Sequence, residues 1–183
     1  DEADRMLDLG FEADIRAVAG ATRADRQTVM FSATWPEAIR ALADEFMYEP
    51  VKVRVGAEGL KASHSVTQVV EVVEPHEKEG ALQGLLTQYH APRKARVLIF
   101  ALYKKECARL HQQLQRRWAC ACIHGDMSQR DREAAVEAFK DGTSPLLIAT
   151  DVAARGLDIP GVECVINYTF PLTTEDYVHR IGR

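Results

Sequence analysis

Five stretches of the chain carry residues whose types and spacing could do chemistry, and the first is Asp1-Glu2-Ala3-Asp4. Carboxylates beside a phosphate could hold magnesium and orient an attacking water, both of which phosphoryl transfer needs. The same acids could instead complement the dipole in the first turn of a helix. The second stretch is Phe31-Ser32-Ala33-Thr34-Trp35-Pro36, at a strand-to-helix turn. Thr34 with Glu37 three residues on reads as a capping box. The alternative is a hinge that couples a nucleotide site to a second domain.

His124-Gly125-Asp126, with Gln129 and Arg132, is the third. Ser128 and Asp131 suffice to start a helix there and Gly142 to end it, which leaves Gly125, Gln129 and Arg132 without a structural task. A glycine ahead of a helix lets a phosphate approach backbone N–H groups. Arg132 lies one turn beyond Gln129, on the same face. That arrangement suits a nucleic-acid backbone, and its alternative is a solvated arginine.

In the fourth stretch, Ala149-Thr150-Asp151-Val152-Ala153-Ala154-Arg155-Gly156-Leu157-Asp158, an apolar strand ends in Thr-Asp and is followed by Arg-Gly and another Asp. A turn of helix capped by Asp151 and stopped by Gly156 accounts for two of those residues; burying a core requires none of the rest. The fifth is Tyr177-Val178-His179-Arg180-Ile181-Gly182-Arg183. Tyr177, Val178 and Ile181 suit an apolar helix face. Arg180 and Arg183, three residues apart, can converge on one anion.

These residues need elements to position them. Periodicity predicts a helix near 5–18, a strand over 27–31, a helix over 35–47 and a strand over 51–55. The polar, glycine-containing stretch 56–65 reads as a linker. Beyond it strands and helices alternate: strands over 67–73, 97–101, 119–123, 146–149 and 164–167, with helices near 77–89, 103–117 and 129–140. A short turn follows the 146–149 strand, and a last helix starts at 174. Val97-Leu98-Ile99-Phe100 and Leu146-Leu147-Ile148-Ala149 are apolar throughout, as strands covered on both faces must be. Such alternation predicts an α/β fold with a parallel sheet. Ligands then sit at the carboxyl ends of the strands, where the third and fourth stretches fall.

With 183 residues, 46% apolar and 27% charged, the composition is that of a globular protein. The longest aliphatic-aromatic run, Val97–Tyr103, is too short to span a bilayer, and neither a membrane partner nor a secretory leader is expected. Cysteines 107, 120, 122 and 164 form no CxxC pair, so reduced core thiols are expected. Net charge is −4: residues 1–60 hold 7 basic and 12 acidic groups, and the remainder 16 and 15. Nucleic acid must therefore be held by placed groups rather than by bulk charge.

In order and spacing, Asp-Glu-Ala-Asp, Ser-Ala-Thr, Val-Leu-Ile-Phe, His-Gly-Asp with Gln-x-x-Arg, Thr-Asp-x-Ala-Ala-Arg-Gly-x-Asp and His-Arg-Ile-Gly-Arg resemble the second half of the motif series of DEAD-box ATP-dependent RNA helicases. The resemblance covers the whole chain and implies two RecA-like domains. Residues 1–55 would be the back of the first, ATP-binding domain and 66–183 most of the second, with ATP in the cleft and single-stranded RNA across both. By that resemblance Asp1 holds Mg2+ largely through water, Glu2 positions the attacking water, and Asp4 links to the hinge residues Ser32 and Thr34. Asp158 touches the ATP ribose and Gly156 lies beside it. Arg183 is an arginine finger, braced by His179 and Arg180. Gly125, Gln129, Arg132, Thr150 and Gly156 grip the RNA sugar-phosphate backbone, with little sequence selectivity.

Phe100-Ala101-Leu102-Tyr103-Lys104-Lys105-Glu106 and Thr169-Phe170-Pro171-Leu172-Thr173 look most like nucleolar members of yeasts and plants that assist large-subunit ribosome assembly. That implies rRNA processing, pre-ribosomal partners and a nuclear or nucleolar location, with the cytoplasm as the other compartment. The resemblance also marks what is missing: a glycine-rich phosphate loop, an adenine-reading motif and a second finger arginine. An internal fragment, unable to hydrolyse ATP by itself, is expected. The alternatives are a related DNA helicase and a non-catalytic RNA clamp or scaffold.

Overall fold

The computed structural model describes residues 1–55, 65–154, 159 and 161–183. The chain divides into two compact units, Asp1–Lys61 and Ala62–Arg183. The expected linker, apart from Ser65, lies outside the described residues.

In Asp1–Lys61 the helices are α1 (Ala3–Asp8), α2 (Glu12–Ala21) and α3 (Glu37–Phe46). One helix over 5–18 was expected, and Gly10 is why there are two. Its φ of 79° is left-handed, and it donates its N–H to the Leu7 carbonyl while Phe11 donates to Met6. Those two bonds form a Schellman cap that closes α1 before α2 begins. The α3 helix is strongly two-faced: Ile39, Leu42 and Ala43, at one-turn spacing, are buried with Ala3 of α1. Arg16 ties α2 to α3, reaching Glu12 at 2.8 Å and also Glu45, with its guanidinium over the Phe46 ring.

Strands were expected over 27–31 and 51–55, and neither forms. A strand is stabilised by a pairing ladder, and no described residue supplies one. Val29, Phe31, Val51, Val53 and Val55 are accordingly exposed. The same holds for 67–73 in the second unit, where Val69, Val70 and Val72 point largely into solvent.

The second unit is built on a four-stranded parallel sheet, β1 (Val97–Ala101), β2 (Cys120–Ile123), β3 (Leu146–Thr150) and β4 (Cys164–Asn167), in the order β2-β3-β1-β4. β1 is central, with Val97 opposite Leu146 on one side and Cys164 on the other. The helices are α4 (Lys78–Leu85), continued by a π-helical turn over Leu86–His90, then α5 (Lys104–Leu114), α6 (Gln129–Lys140), α7 (Asp151–Ala154) and α8 (Thr174–Ile181). Alternate β1 residues divide between two cores. Val97, Ile99 and Ala101 pack with α4 and α5, whereas Leu98 and Phe100 pack with Phe139 of α6 and with α7. Every β1 and β3 residue is buried, as the apolar runs required.

Caps follow the sequence. Ser128 accepts the Asp131 amide at 3.2 Å to start α6, Gly142 at φ 80° ends it, and Thr173 accepts the Asp176 amide at 3.0 Å to start α8. All four cysteines are free thiols facing the α4–α5 side. Cys107 donates to the Ile123 and Ile148 carbonyls. Burial pushes the Cys120 thiol up to about 11, so it is protonated at neutral pH. No described helix is long and apolar enough to cross a membrane.

Candidate functional site

In Asp1–Lys61 the acidic stretch meets the Ser-Ala-Thr turn. The Asp4 carboxylate accepts the Thr34 hydroxyl at 2.7 Å, the Thr34 amide at 2.9 Å and the Arg5 amide at 3.0 Å. The Asp4 amide in turn donates to Ser32 Oγ at 3.2 Å. Burial alone would raise the Asp4 carboxyl, but the Thr34, Arg5 and Ser32 hydrogen bonds to it prevail and hold it below its ordinary value. Asp4 is thus a carboxylate at any pH near neutrality. The capping-box reading of Thr34 fails here: the N-cap of α3 is Pro36, with no side-chain cap, and the Thr34 hydroxyl goes to Asp4.

Asp1 and Glu2 differ from Asp4. Asp1 is exposed, and its Oδ1 accepts the Glu2 amide at 2.9 Å. Glu2 precedes α1 in a left-handed conformation, φ 52° and ψ 49°. A non-glycine residue held there costs about 1–3 kcal/mol and is found where the surroundings over-determine it, often at functional sites. No group of three or more His, Cys, Asp or Glu suited to a metal occurs among the described residues. Asp1 offers a single exposed carboxylate, which could hold magnesium only with water and phosphate as the remaining ligands.

In the second unit the motif residues gather at the carboxyl ends of the strands. After β2 come His124 and Gly125. The Gly125 φ is not left-handed, and an added Cβ would meet nothing of this chain within 4 Å. Neither backbone conformation nor packing within this chain demands a glycine, and the space above its Cα is open. His124 Nδ1 and Arg132 Nε are buried without a hydrogen-bond partner. Buried polar atoms are nearly always satisfied; the Arg132 Nε–H lacks an acceptor and His124 Nδ1 a partner of either kind, a condition that Arg5 Nε and Gln113 Oε1 share. Gln129, the first residue of α6, is exposed and donates to Glu133 at 2.8 Å. Asp126 is held below the usual carboxylate range by Lys104, which reaches it at 2.8 Å and ties this turn to α5. Thr150, 7% exposed, ends β3. Gly156 and Asp158, with Arg155, lie outside the described residues.

Arg180 was expected to converge with Arg183 on one anion and, with His179, to brace the cleft face. The structure overturns the shared anion: the Arg180 side chain is 1% exposed and its guanidinium is taken by acceptors of this chain. Nε and Nη2 donate to the two Asp151 oxygens at 2.6 Å each, and Nη1 donates to Asn167 Oδ1 at 3.0 Å and the Thr169 carbonyl at 2.8 Å. Its guanidinium lies over the Phe100 ring at 4.9 Å. Sheet order explains the set: β3, β1 and β4 are neighbours, so one guanidinium above Phe100 of β1 reaches Asp151 after β3 and Asn167 of β4. Asp151 was also expected to cap a helical turn, and its carboxylate serves Arg180 instead. Asn167 and Asp151 had escaped notice as partners. Their signal was a polar residue at the carboxyl end of an apolar strand. Of the remaining motif residues, His179 and Arg183 lie in and just beyond the last turn of α8.

A parallel sheet between two helical layers, with polar motifs along its carboxyl edge, makes this unit a RecA-like α/β domain. Residues 77–183 match the helicase conserved C-terminal domain and residues 1–42 the DEAD/DEAH box helicase family. The chain belongs to the DEAD-box RNA helicase family. It is 57% identical to DEAD-box ATP-dependent RNA helicase 5 of Oryza sativa subsp. japonica, aligned over 100% of this chain and 36% of the relative. It is 58% identical to ATP-dependent RNA helicase DBP3 of Scheffersomyces stipitis, again over 100% and 36%. The chain thus spans about a third of the length of these curated relatives. Among solved structures it resembles S. cerevisiae Dbp5 bound to RNA and ADP BeF3, at TM-score 0.85 and 30% identity, covering 100% of this chain and 48% of that one. A DEAD box protein from the hyperthermophile Methanococcus jannaschii aligns at TM-score 0.62 and 35% identity, with the same coverage.

Proposed function

We propose that this chain belongs to an ATP-dependent RNA helicase that holds RNA by its backbone and uses ATP hydrolysis to unwind RNA or remodel ribonucleoproteins. The observation that carries the RNA reading is the buried Arg132 Nε–H without an acceptor, on the helix that follows the unobstructed Gly125. A phosphate oxygen would supply that acceptor, and a phosphate could approach the Gly125 backbone without a clash. Gln129 and Thr150, with Gly156, extend the same grip. Because such contacts read no base edges, binding is insensitive to sequence.

For the ATP reaction, Asp1 holds hydrated magnesium, Glu2 orients the attacking water, and Asp4 fixes Ser32 and Thr34 as the hinge. Asp158 contacts the ribose, and Arg183 stabilises charge developing on the γ-phosphate, with His179 beside it. When bound, ATP supplies the phosphoryl group and magnesium neutralises its oxygens. The resemblance of Phe100–Glu106 and Thr169–Thr173 to nucleolar members is what favours a role in ribosome biogenesis, with pre-ribosomal particles as partners and the nucleolus as location.

The test is RNA binding by a full-length protein that carries this segment. Arg132→Ala should weaken binding to several unrelated single strands by similar factors and lower the salt slope by about 1. Weakening confined to one sequence would contradict a phosphate contact. Equal stimulation of ATP turnover by DNA would overturn the RNA assignment.

A further inference from the structure

The connection between β4 and α8 runs from Tyr168 to Thr173. Tyr168 packs against the α4–α5 core and Pro171 is buried, whereas Phe170 is 60% and Leu172 77% accessible. Apolar burial holds part of it, and Thr169 adds polar anchors on both sides. Its hydroxyl donates to Glu106 Oε1 at 2.8 Å and accepts from Lys78 Nζ at 2.8 Å, so it stands between a cation on α4 and an anion on α5. The other Glu106 oxygen accepts the Leu102 amide at 2.8 Å, directly after β1. Lys78 is placed further by the Tyr168 ring, 4.5 Å from its ammonium. On the opposite side, the Thr169 carbonyl accepts from Arg180 of α8. One residue thus faces the α4–α5 layer with its side chain and the arginine-bearing helix with its backbone. Phe170, stacked on Tyr177 at 5.2 Å, travels with α8 rather than anchoring it.

We propose that Thr169 is a positioning residue for α8, with Lys78 and Glu106 as its anchors, and that it sets where Arg183 is presented during ATP hydrolysis. This rests on the helicase reading above. It gives the Thr169–Thr173 stretch a task that none of the motifs supplied. The hydroxyl is the essential part. A position that merely packed would take valine equally well, whereas a donor-acceptor bridge between Lys78 and Glu106 would not.

The experiment is steady-state RNA-stimulated ATP hydrolysis by the full-length protein, with thermal unfolding alongside. Thr169→Val should lower kcat about tenfold with little change in KM for ATP, since misplacing a group that acts in the transition state reduces turnover rather than binding. The unfolding midpoint should stay close to that of the unsubstituted protein. Thr169→Ser, which keeps the hydroxyl, should retain most of the rate. Lys78→Met should act in the same direction as Thr169→Val, and combining the two should lower kcat no further than Thr169→Val alone. A Thr169→Val kcat within twofold of the unsubstituted protein would overturn the proposal. So would a loss that Thr169→Ser fails to restore. Should Thr169→Val not fold, Lys78→Met decides alone, and an unchanged kcat there overturns the assignment. If the unsubstituted protein shows no RNA-stimulated turnover, it is the helicase reading that fails, and this proposal falls with it.

Discussion

In Ala62–Arg183 the motif side chains stand at the ends of buried parallel strands; in Asp1–Lys61 they stand on a short helix and a turn. The sheet unit holds Arg180 between three strand ends over an aromatic ring. The helical unit holds Asp4 through Ser32 and Thr34, some thirty residues away in the chain, above a core of four buried residues on two helices. The Asp4 hydrogen bonds form with no strand beneath them among the described residues of that unit. A carboxylate with three or four hydrogen bonds can lock two turns together while the apolar residues beside them, Phe31 and Val51 among them, remain exposed. Such a unit gains its remaining stability only when those residues find partners.

Substitutions can break or sharpen that contrast. The largest effects belong to the groups assigned to chemistry. In the full-length protein, Glu2→Gln should abolish ATP turnover while leaving ATP and RNA binding in place, and Arg183→Ala should lower the rate on the order of 10³. Single-turnover hydrolysis measures both, and a loss below tenfold at either residue removes its assigned role. Next comes Arg180→Met, which leaves the half-buried Asp151 without its cation and should cost about 3 kcal/mol of stability. Urea unfolding followed at Trp118 in the sheet unit should show the loss, while Trp35 in the helical unit should report none. Equal shifts at both tryptophans would mean that the two units unfold as one.

The smallest effect concerns Asp4. Its folded value lies below the ordinary 3.8, so the stability it contributes is present above that value and is lost as pH falls through the lower folded one. Asp4→Asn should cost about 1 kcal/mol near pH 6, a difference that shrinks on acidification below about pH 4. A cost independent of pH would mean that the hydrogen bonds, and not the charge, hold the turn.

The sheet was legible because Val97–Ala101 and Leu146–Thr150 are apolar without interruption, a pattern that only strands covered on both faces sustain. The segments 27–31, 51–55 and 67–73 have the same β-branched composition but no partner strand, and composition cannot announce a missing partner. The Gly10 break was readable in principle, since glycine between two helical patterns is a stop signal, but the continuous apolar face from Met6 to Val18 hid it. The link of Asp4 to Ser32 and Thr34 came from the family resemblance, since residues about thirty apart share no periodicity that could place them. Arg180 was misplaced because helical spacing puts it beside Arg183 and says nothing of what covers each. The Lys78–Thr169–Glu106 bridge joins three elements up to 91 residues apart, a separation at which no periodicity carries information.

The strand order has one more consequence, for synthesis. β1 is the centre of the sheet, yet its neighbours are β3 and β4, and Val97 is opposite Leu146 and Cys164. On a translating ribosome the most apolar strand emerges about fifty residues before either neighbour. At about 5–20 residues per second that is an interval of several seconds. Only α5, the unpaired β2 and α6 follow it in that time. Nascent chains stalled just before Leu146 should expose Val97–Ala101 to proteases and hydrophobic-segment chaperones, and chains stalled well beyond Asn167 should not.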